Sequence, residues 1–164
     1  MVETHISLSV DCLLNEDSYA IPLYQRNFSW TYDEIEQLLN DVADAYQEKR
    51  DNYYIGTLVV NEENGLFKII DGQQRTTALN LIALVLKNEF DCDRLEAVHL
   101  TFPARRRSNE NIQKLFINEK ISEDDENELT RGYRHAKDAL KKVLGERQLD
   151  PQPFVAVSYT HLTL

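Results

Sequence analysis

The hydrophobic pattern of this chain changes period at Asp71-Gly72, and that change constrains the fold more than any other feature. Leu66-Phe-Lys-Ile-Ile-Asp is a short β-branched and aromatic run that reads as a strand. From Gly72 onward, Leu79, Ile82, Ala83 and Leu86 recur at helical spacing on one face. A strand must therefore hand over to a helix within about one residue. Gly72 is the residue type best suited to that turn, because it accepts positive φ without a side-chain clash.

The flanking segments fit around this junction. Thr31 followed by Glu34 is a capping box, and Ile35, Leu38, Leu39, Val42 and Tyr46 continue it as a helix to about position 49. The aromatic and β-branched run 53–60 reads as a strand. Turn residues over 61–65 join it to 66–71 as a hairpin. The segment 6–14 reads as a short helix or an irregular lead-in. The stretch 19–26 is extended, with Pro22 suiting an edge strand or a turn. Positions 98–102 form a further strand candidate ended by Pro103. Ser108 or Asn109 is expected to cap a short helix through 117. A longer helix follows over 124–144, acidic in its first turn, with Lys141 and Lys142 in its last and Gly145 as its stop. The mixed order of helices and strands defines an α+β fold.

Composition narrows the function classes. The 164 residues carry 28 acids against 18 Lys and Arg, a net charge of −10. That balance opposes a domain whose main task is coating nucleic acid, since such binding rests on neutralising phosphates with basic side chains. Cys12 and Cys92 are far apart and lack zinc-ligand or disulfide-framework spacing. His5, His99, His135 and His161 fall in four separate segments without metal-ligand spacing. The chain shows no signal peptide and no apolar run long enough to span a membrane, so a cytoplasmic setting is expected.

Chemistry concentrates in Asp71-Gly-Gln-Gln-Arg-Thr-Thr. The first N–H groups of a helix lack internal partners and carry partial positive charge, which favours an anion. Gly72 lets a ligand approach the backbone, Arg75 offers a planar fork matched to phosphate oxygens, and Thr76 and Thr77 add hydroxyls. Asp71 could hold a metal ion or orient a water. On spacing alone, a plain helix cap with a surface arginine is an equal alternative. A second cluster, Ile21-Pro-Leu-Tyr-Gln-Arg-Asn-Phe-Ser-Trp, places Tyr24, Gln25, Arg26, Phe28 and Trp30 in one short stretch. Its aromatics alone are better read as core anchors, but Gln25-Arg26 echoes Gln74-Arg75 and points to a shared polar site.

The order IPLYQRNFSW, YYIGTLVV, IIDGQQRTTALNLI resembles the N-terminal domain of GmrSD-type restriction proteins over positions 5–145. Pro103-Ala-Arg-Arg-Arg and Leu129-Thr-Arg-Gly-Tyr-Arg look similar to that family's helical second part. One departure is Ala78 after Thr76-Thr77, where relatives often carry Leu-Thr-Thr. The resemblance implies a ParB/sulfiredoxin-like fold and a nucleoside triphosphate, with Mg²⁺ as a candidate ion, bound by Asp71, Gly72, Gln73, Gln74 and Arg75. Thr76 and Thr77 would extend that site, with Asp71 and Arg75 carrying the chemistry. Tyr24, Gln25 and Arg26 would line it from the neighbouring segment, and Gly56 would allow close backbone approach. It further implies NTP hydrolysis in a regulatory domain of modification-dependent DNA restriction or phage defence. Such domains act beside an HNH-class nuclease, in the same chain or a partner, and nothing in this sequence resembles that nuclease.

The expected organisation is a ParB-like nucleotide-binding domain over 1–103, the start of a helical subdomain over 104–156, and a tail over 157–164. That tail reads as a non-native end on a truncated domain, which would leave part of the pocket and a core face uncovered. The alternative is a strand over 154–164. Arg105-Arg106-Arg107 could touch phosphate, but at least two of the three are expected to be solvated. The acidic run 123–128 is expected to be a solvated helix start. The rival function is a non-catalytic ParB-like module for DNA recognition or partner docking.

Overall fold

In a computed structural model of the chain, residues 6–164 are described, and His5 lies outside them. The four-stranded sheet is small, with 16 residues in its strands. Its strands are β1 (Ser18–Ala20), β3 (Val59–Glu63), β4 (Leu66–Asp71) and β5 (Leu100–Thr101), in the order β3-β4-β1-β5. β1 runs parallel to both β4 and β5, while β3 is antiparallel to β4. A two-stranded parallel ladder joins β2 (Tyr53–Tyr54) to β6 (Leu162–Thr163). The fold thus combines helices with a small mixed sheet, in line with the α+β reading of the sequence.

Three expectations for the strands are corrected. β1 is an interior strand rather than an edge. It ends before Pro22, and the Ile21 N–H still donates to the Thr101 carbonyl at 3.0 Å. The run 53–60 is two strands, not one, because Gly56 at φ +142° breaks the ladder. The hairpin loop shrinks to Asn64-Gly65, with φ of 54° and 79°, the paired positive values of a type I′ turn.

The helices are α1 (Val10–Asn15), α2 (Tyr32–Gln47), α3 (Gln73–Glu89), α4 (Arg106–Phe116), α5 (Glu128–Glu146) and α6 (Pro151–His161). α3 is the centre of the molecule. Its residues from Thr76 to Leu86 are buried all round, not on one face, because α5 and α4 pack on it while Val10, Leu38 and Phe154 lie around Leu79, Ile82 and Leu86. α5 also packs against α2, and α6 against α1 and α2. One continuous core runs from Val10 to Leu164.

Helix ends differ from expectation where a distant partner outcompetes the local cap. Ser108 and Asn109 lie inside α4; the Asn109 amide instead reaches back to accept from the Phe102 N–H and donate to its carbonyl, both at 2.8 Å. Asn127 caps α5, and most of the acidic run forms a separate 3₁₀ turn over Glu123–Asp125. Gly145 is within α5, so Lys141 and Lys142 precede its last turn. The final segment, for which a strand over 154–164 is the alternative to a non-native tail, is the helix α6 followed by the two residues of β6. Phe154, Val155, Tyr159, Leu162 and Leu164 are buried, filling a core face, although Ser158 Oγ, Tyr159 Oη and His161 Nδ1 are buried without partners.

The capping box at Thr31 forms as expected. Its N–H donates to Glu34 Oε2 at 2.7 Å, and the hydroxyl donates to the same oxygen. Those bonds, the side-chain one foremost, hold the Glu34 carboxyl below its usual range. A depressed carboxylate stabilises the fold above its ordinary pKa, and that contribution is lost as pH falls through the folded value. Thr31→Ala should therefore cost about 1 kcal/mol at pH 7. The difference from wild type should shrink as the pH falls through the folded-state value and Glu34 protonates. Urea unfolding of both proteins at pH 7 and pH 3 checks this; an equal difference at the two pH values contradicts it.

Candidate functional site

The three parallel strands β4, β1 and β5 point the same way, so the segments that leave their carboxyl ends share one edge of the sheet. In open parallel sheets ligands bind outside that edge. Here it carries Asp71 at the end of β4 with Gly72 after it, the turn around Leu23–Gln25 after β1, and Arg105 after β5.

The end of β4 is irregular. Val59 pairs with Asp71 but Val60 pairs with Ile69, so Ile70 is an extra, unpaired residue, a β-bulge. Its carbonyl accepts from Gln25 Nε2 at 2.9 Å. Immediately after the bulge, Gly72 takes φ +98°, ψ 11° and α3 begins. A Cβ at Gly72 would lie 2.9 Å from the Thr57 carbonyl oxygen, so only glycine fits both the angle and the space. The first intrahelical bond is from the Thr76 N–H to the Gly72 carbonyl at 3.0 Å. The N–H groups of Gln73, Gln74 and Arg75 have no acceptor among the described residues. A left-handed residue followed by helical ones makes such N–H groups converge, which suits an anion.

Gln74 performs the reciprocal of Gln25. Its Nε2 donates to the Asn27 carbonyl at 3.0 Å, and its Oε1 accepts from the Ser29 N–H at 2.8 Å. Each of the two motifs thus lends a glutamine to hold the other's backbone. The neighbouring arginines are left without an ion pair among the described residues: Arg26 is exposed, and Arg75 is half-buried with its Nε enclosed and unpartnered. What singles out these two arginines is that each follows directly on one of the two bracing glutamines.

Arg75 lies flat against Gly56. A Cβ there would come within 2.2 Å of Nη1 and 2.5 Å of Cζ. The guanidinium borders a groove of about 430 Å³ with Ile55 and, from α2 and its approach, Trp30, Asp33, Gln37 and Asp41. The sequence reading did not single out these α2 residues as site residues. Their spacing of four, Asp33, Gln37, Asp41, was the signal that could have placed them on one helix face.

The other expected residues divide in two. Gln73 is at the first helical position and Asp71 is exposed beside it. Tyr24 is 75% exposed on the turn after β1. The hydroxyls of the threonines face away from a ligand role: Thr77 Oγ1 donates to the Gln73 carbonyl at 2.8 Å, and Thr76 Oγ1 is buried without a partner. Among the described residues, there is no group of three or more His, Cys, Asp or Glu side chains that could hold a metal ion.

Gln74→Ala would leave the Asn27 carbonyl and the Ser29 N–H unpaired. Loss of this brace should cost roughly 1–3 kcal/mol. For a chain of this size that lowers the thermal midpoint by about 2–4 °C per kcal/mol. An unchanged melting curve would show that the brace is dispensable.

The fold and the edge together define a class: a small mixed α/β domain with a polar turn of unpaired arginines and helix N–H groups beyond its parallel strands. The chain belongs to the family described as GmrSD restriction endonuclease, N-terminal domain, which it matches over residues 10–159. That match covers nearly the whole chain and places it among restriction and phage-defence proteins. No curated protein matches the chain. No helix of the described residues is long and apolar enough to cross a membrane.

Proposed function

We propose that this domain binds a nucleoside triphosphate at the Gly72 turn and hydrolyses it. It would do so as the regulatory unit of a modification-dependent DNA restriction or phage-defence protein. The observation that carries the reading is the cross-brace of Gln25 and Gln74. It fixes two segments against each other while leaving Arg26, Arg75 and three helix N–H groups free for an anion.

The phosphates lie on the N–H groups of Gln73, Gln74 and Arg75, where partial positive charge is greatest. Arg75, held in place by Gly56, and Arg26 neutralise the charge that develops on the transferring phosphoryl group. Asp71 orients the attacking water. Mg²⁺ is read as travelling with the nucleotide, held chiefly by phosphate oxygens as this ion usually is. An HNH-class nuclease and DNA are the partners of the complete protein.

A phosphate-release assay with each of the four common ribonucleoside triphosphates and Mg²⁺ tests the reading. Turnover by the wild-type chain, lost in Asp71→Asn, is expected. Tight nucleotide binding without turnover would reduce the function to sensing, and absence of both would overturn it. The net charge of −10 weighs against the rival reading as a DNA-recognition module. Arg105 is turned onto backbone carbonyls, Arg106 is exposed but pairs with Glu110, and Arg107 is exposed.

A further inference from the structure

Arg105 is 80 residues away from the turn after β1, yet its guanidinium donates to two carbonyls of that turn. Nη2 reaches the Leu23 carbonyl at 3.2 Å, and it also bonds the Gln25 carbonyl. Its own backbone is fixed, with its N–H donating to the Phe102 carbonyl at 3.0 Å and Asn109 clasping Phe102 through both backbone groups. The turn it grips is closed by a bond from the Gln25 N–H to the Pro22 carbonyl at 3.0 Å and is tied to the β4 bulge by the Gln25 amide. Held in this way, the turn presents Leu23, 62% exposed, then Tyr24 and Arg26, to solvent.

A guanidinium that satisfies carbonyls has no carboxylate partner, so its charge remains beside the turn and adds to the positive potential there. Such an arrangement contributes nothing to burying Leu23 or Tyr24, which stay exposed. Its effect is to remove the freedom of the segment that carries them. A ligand that meets Tyr24 and Arg26 then pays less ordering entropy on binding.

We infer that Arg105 is a positioning residue of the nucleotide site: it holds the turn after β1 so that Arg26 and Tyr24 meet the bound nucleoside triphosphate. This rests on the proposed function above, and it assigns a member of the basic trio to the site through backbone contacts rather than through phosphate.

Two measurements on the full chain test it. Chymotryptic cleavage after Tyr24, which needs no ligand, should be faster in Arg105→Ala than in wild type, with Arg105→Lys intermediate because an ammonium lacks the fork. Calorimetric titration with ATP should show affinity weakened about tenfold by Arg105→Ala, the equivalent of about 1.4 kcal/mol. Adding Arg105→Ala to Arg26→Ala should weaken it little further, since the two act as one unit. A merely structural arginine would give losses that add. Unchanged proteolysis, unchanged affinity in a protein whose wild type binds, or additive losses would each overturn the inference. A wild type that binds no nucleotide would overturn the functional reading itself, and the role assigned to Arg105 with it, whatever the proteolysis shows.

Discussion

Arg75→Ala should reduce nucleotide affinity by roughly 30- to 150-fold while leaving the circular dichroism spectrum unchanged. The magnitude follows from losing charge-assisted hydrogen bonds to phosphate, about 2–3 kcal/mol together. The fold should tolerate the change because Arg75 has no ion pair among the described residues, and its enclosed Nε has no hydrogen-bond partner to lose. Removing an unpartnered buried polar group is often neutral, unlike breaking a satisfied pair. Arg75→Lys should recover only part of the affinity, since an ammonium cannot reproduce the planar fork. Calorimetry on the three proteins decides the matter; binding by Arg75→Ala equal to wild type would remove this residue from the site.

Gly56→Val should weaken binding to a similar extent by a different route, keeping the arginine but denying it its seat. The new side chain would occupy the position of the guanidinium, whose Nη1 is 2.2 Å from where a Cβ must stand. The backbone is also held at φ +142°, a region that L side chains rarely adopt. That strain alone costs of order 1–3 kcal/mol, so the thermal midpoint should fall by several degrees as well. The two effects separate cleanly. In a double variant with Arg75→Ala, the steric conflict is relieved but the backbone strain persists, so binding should be no worse than in Arg75→Ala alone while the midpoint stays low. A Gly56→Val protein with a wild-type melting curve and wild-type binding would show that the close contact is not needed.

What the sequence made legible was local. The capping box at Thr31 and the helix it opens depend on residues three apart, and the Gly72 junction on a change of period within a few residues. Both are found where expected. The features that were missed depend on distant partners. Nothing near Gly56 announces that its backbone breaks a strand or that an arginine nineteen positions on lies against it. The interior position of β1 comes from pairing with Leu66 to Lys68 and with Leu100 and Thr101, far along the chain. Ile70 looks like any strand residue until the register of Val59 and Val60 shows it bulged out. The same limit applied to the site. The echo of Gln25-Arg26 in Gln74-Arg75 was visible in one dimension, and it suggested that all four side chains share a ligand. In space the glutamines brace each other's segments and the arginines are left free, a division of labour that residue identity could not reveal.

The opening of α3 is the core of this account, and amide chemical shifts examine it without relying on a substitution. In a ¹⁵N-resolved titration with ATP and Mg²⁺, the N–H groups of Gln73, Gln74 and Arg75 should shift together and saturate along a single binding curve. The Arg75 side-chain Nε–H signal should move with them. Saturable shifts confined to other surfaces, such as that around Arg107, or no shift of these three amides at saturating nucleotide, would contradict it.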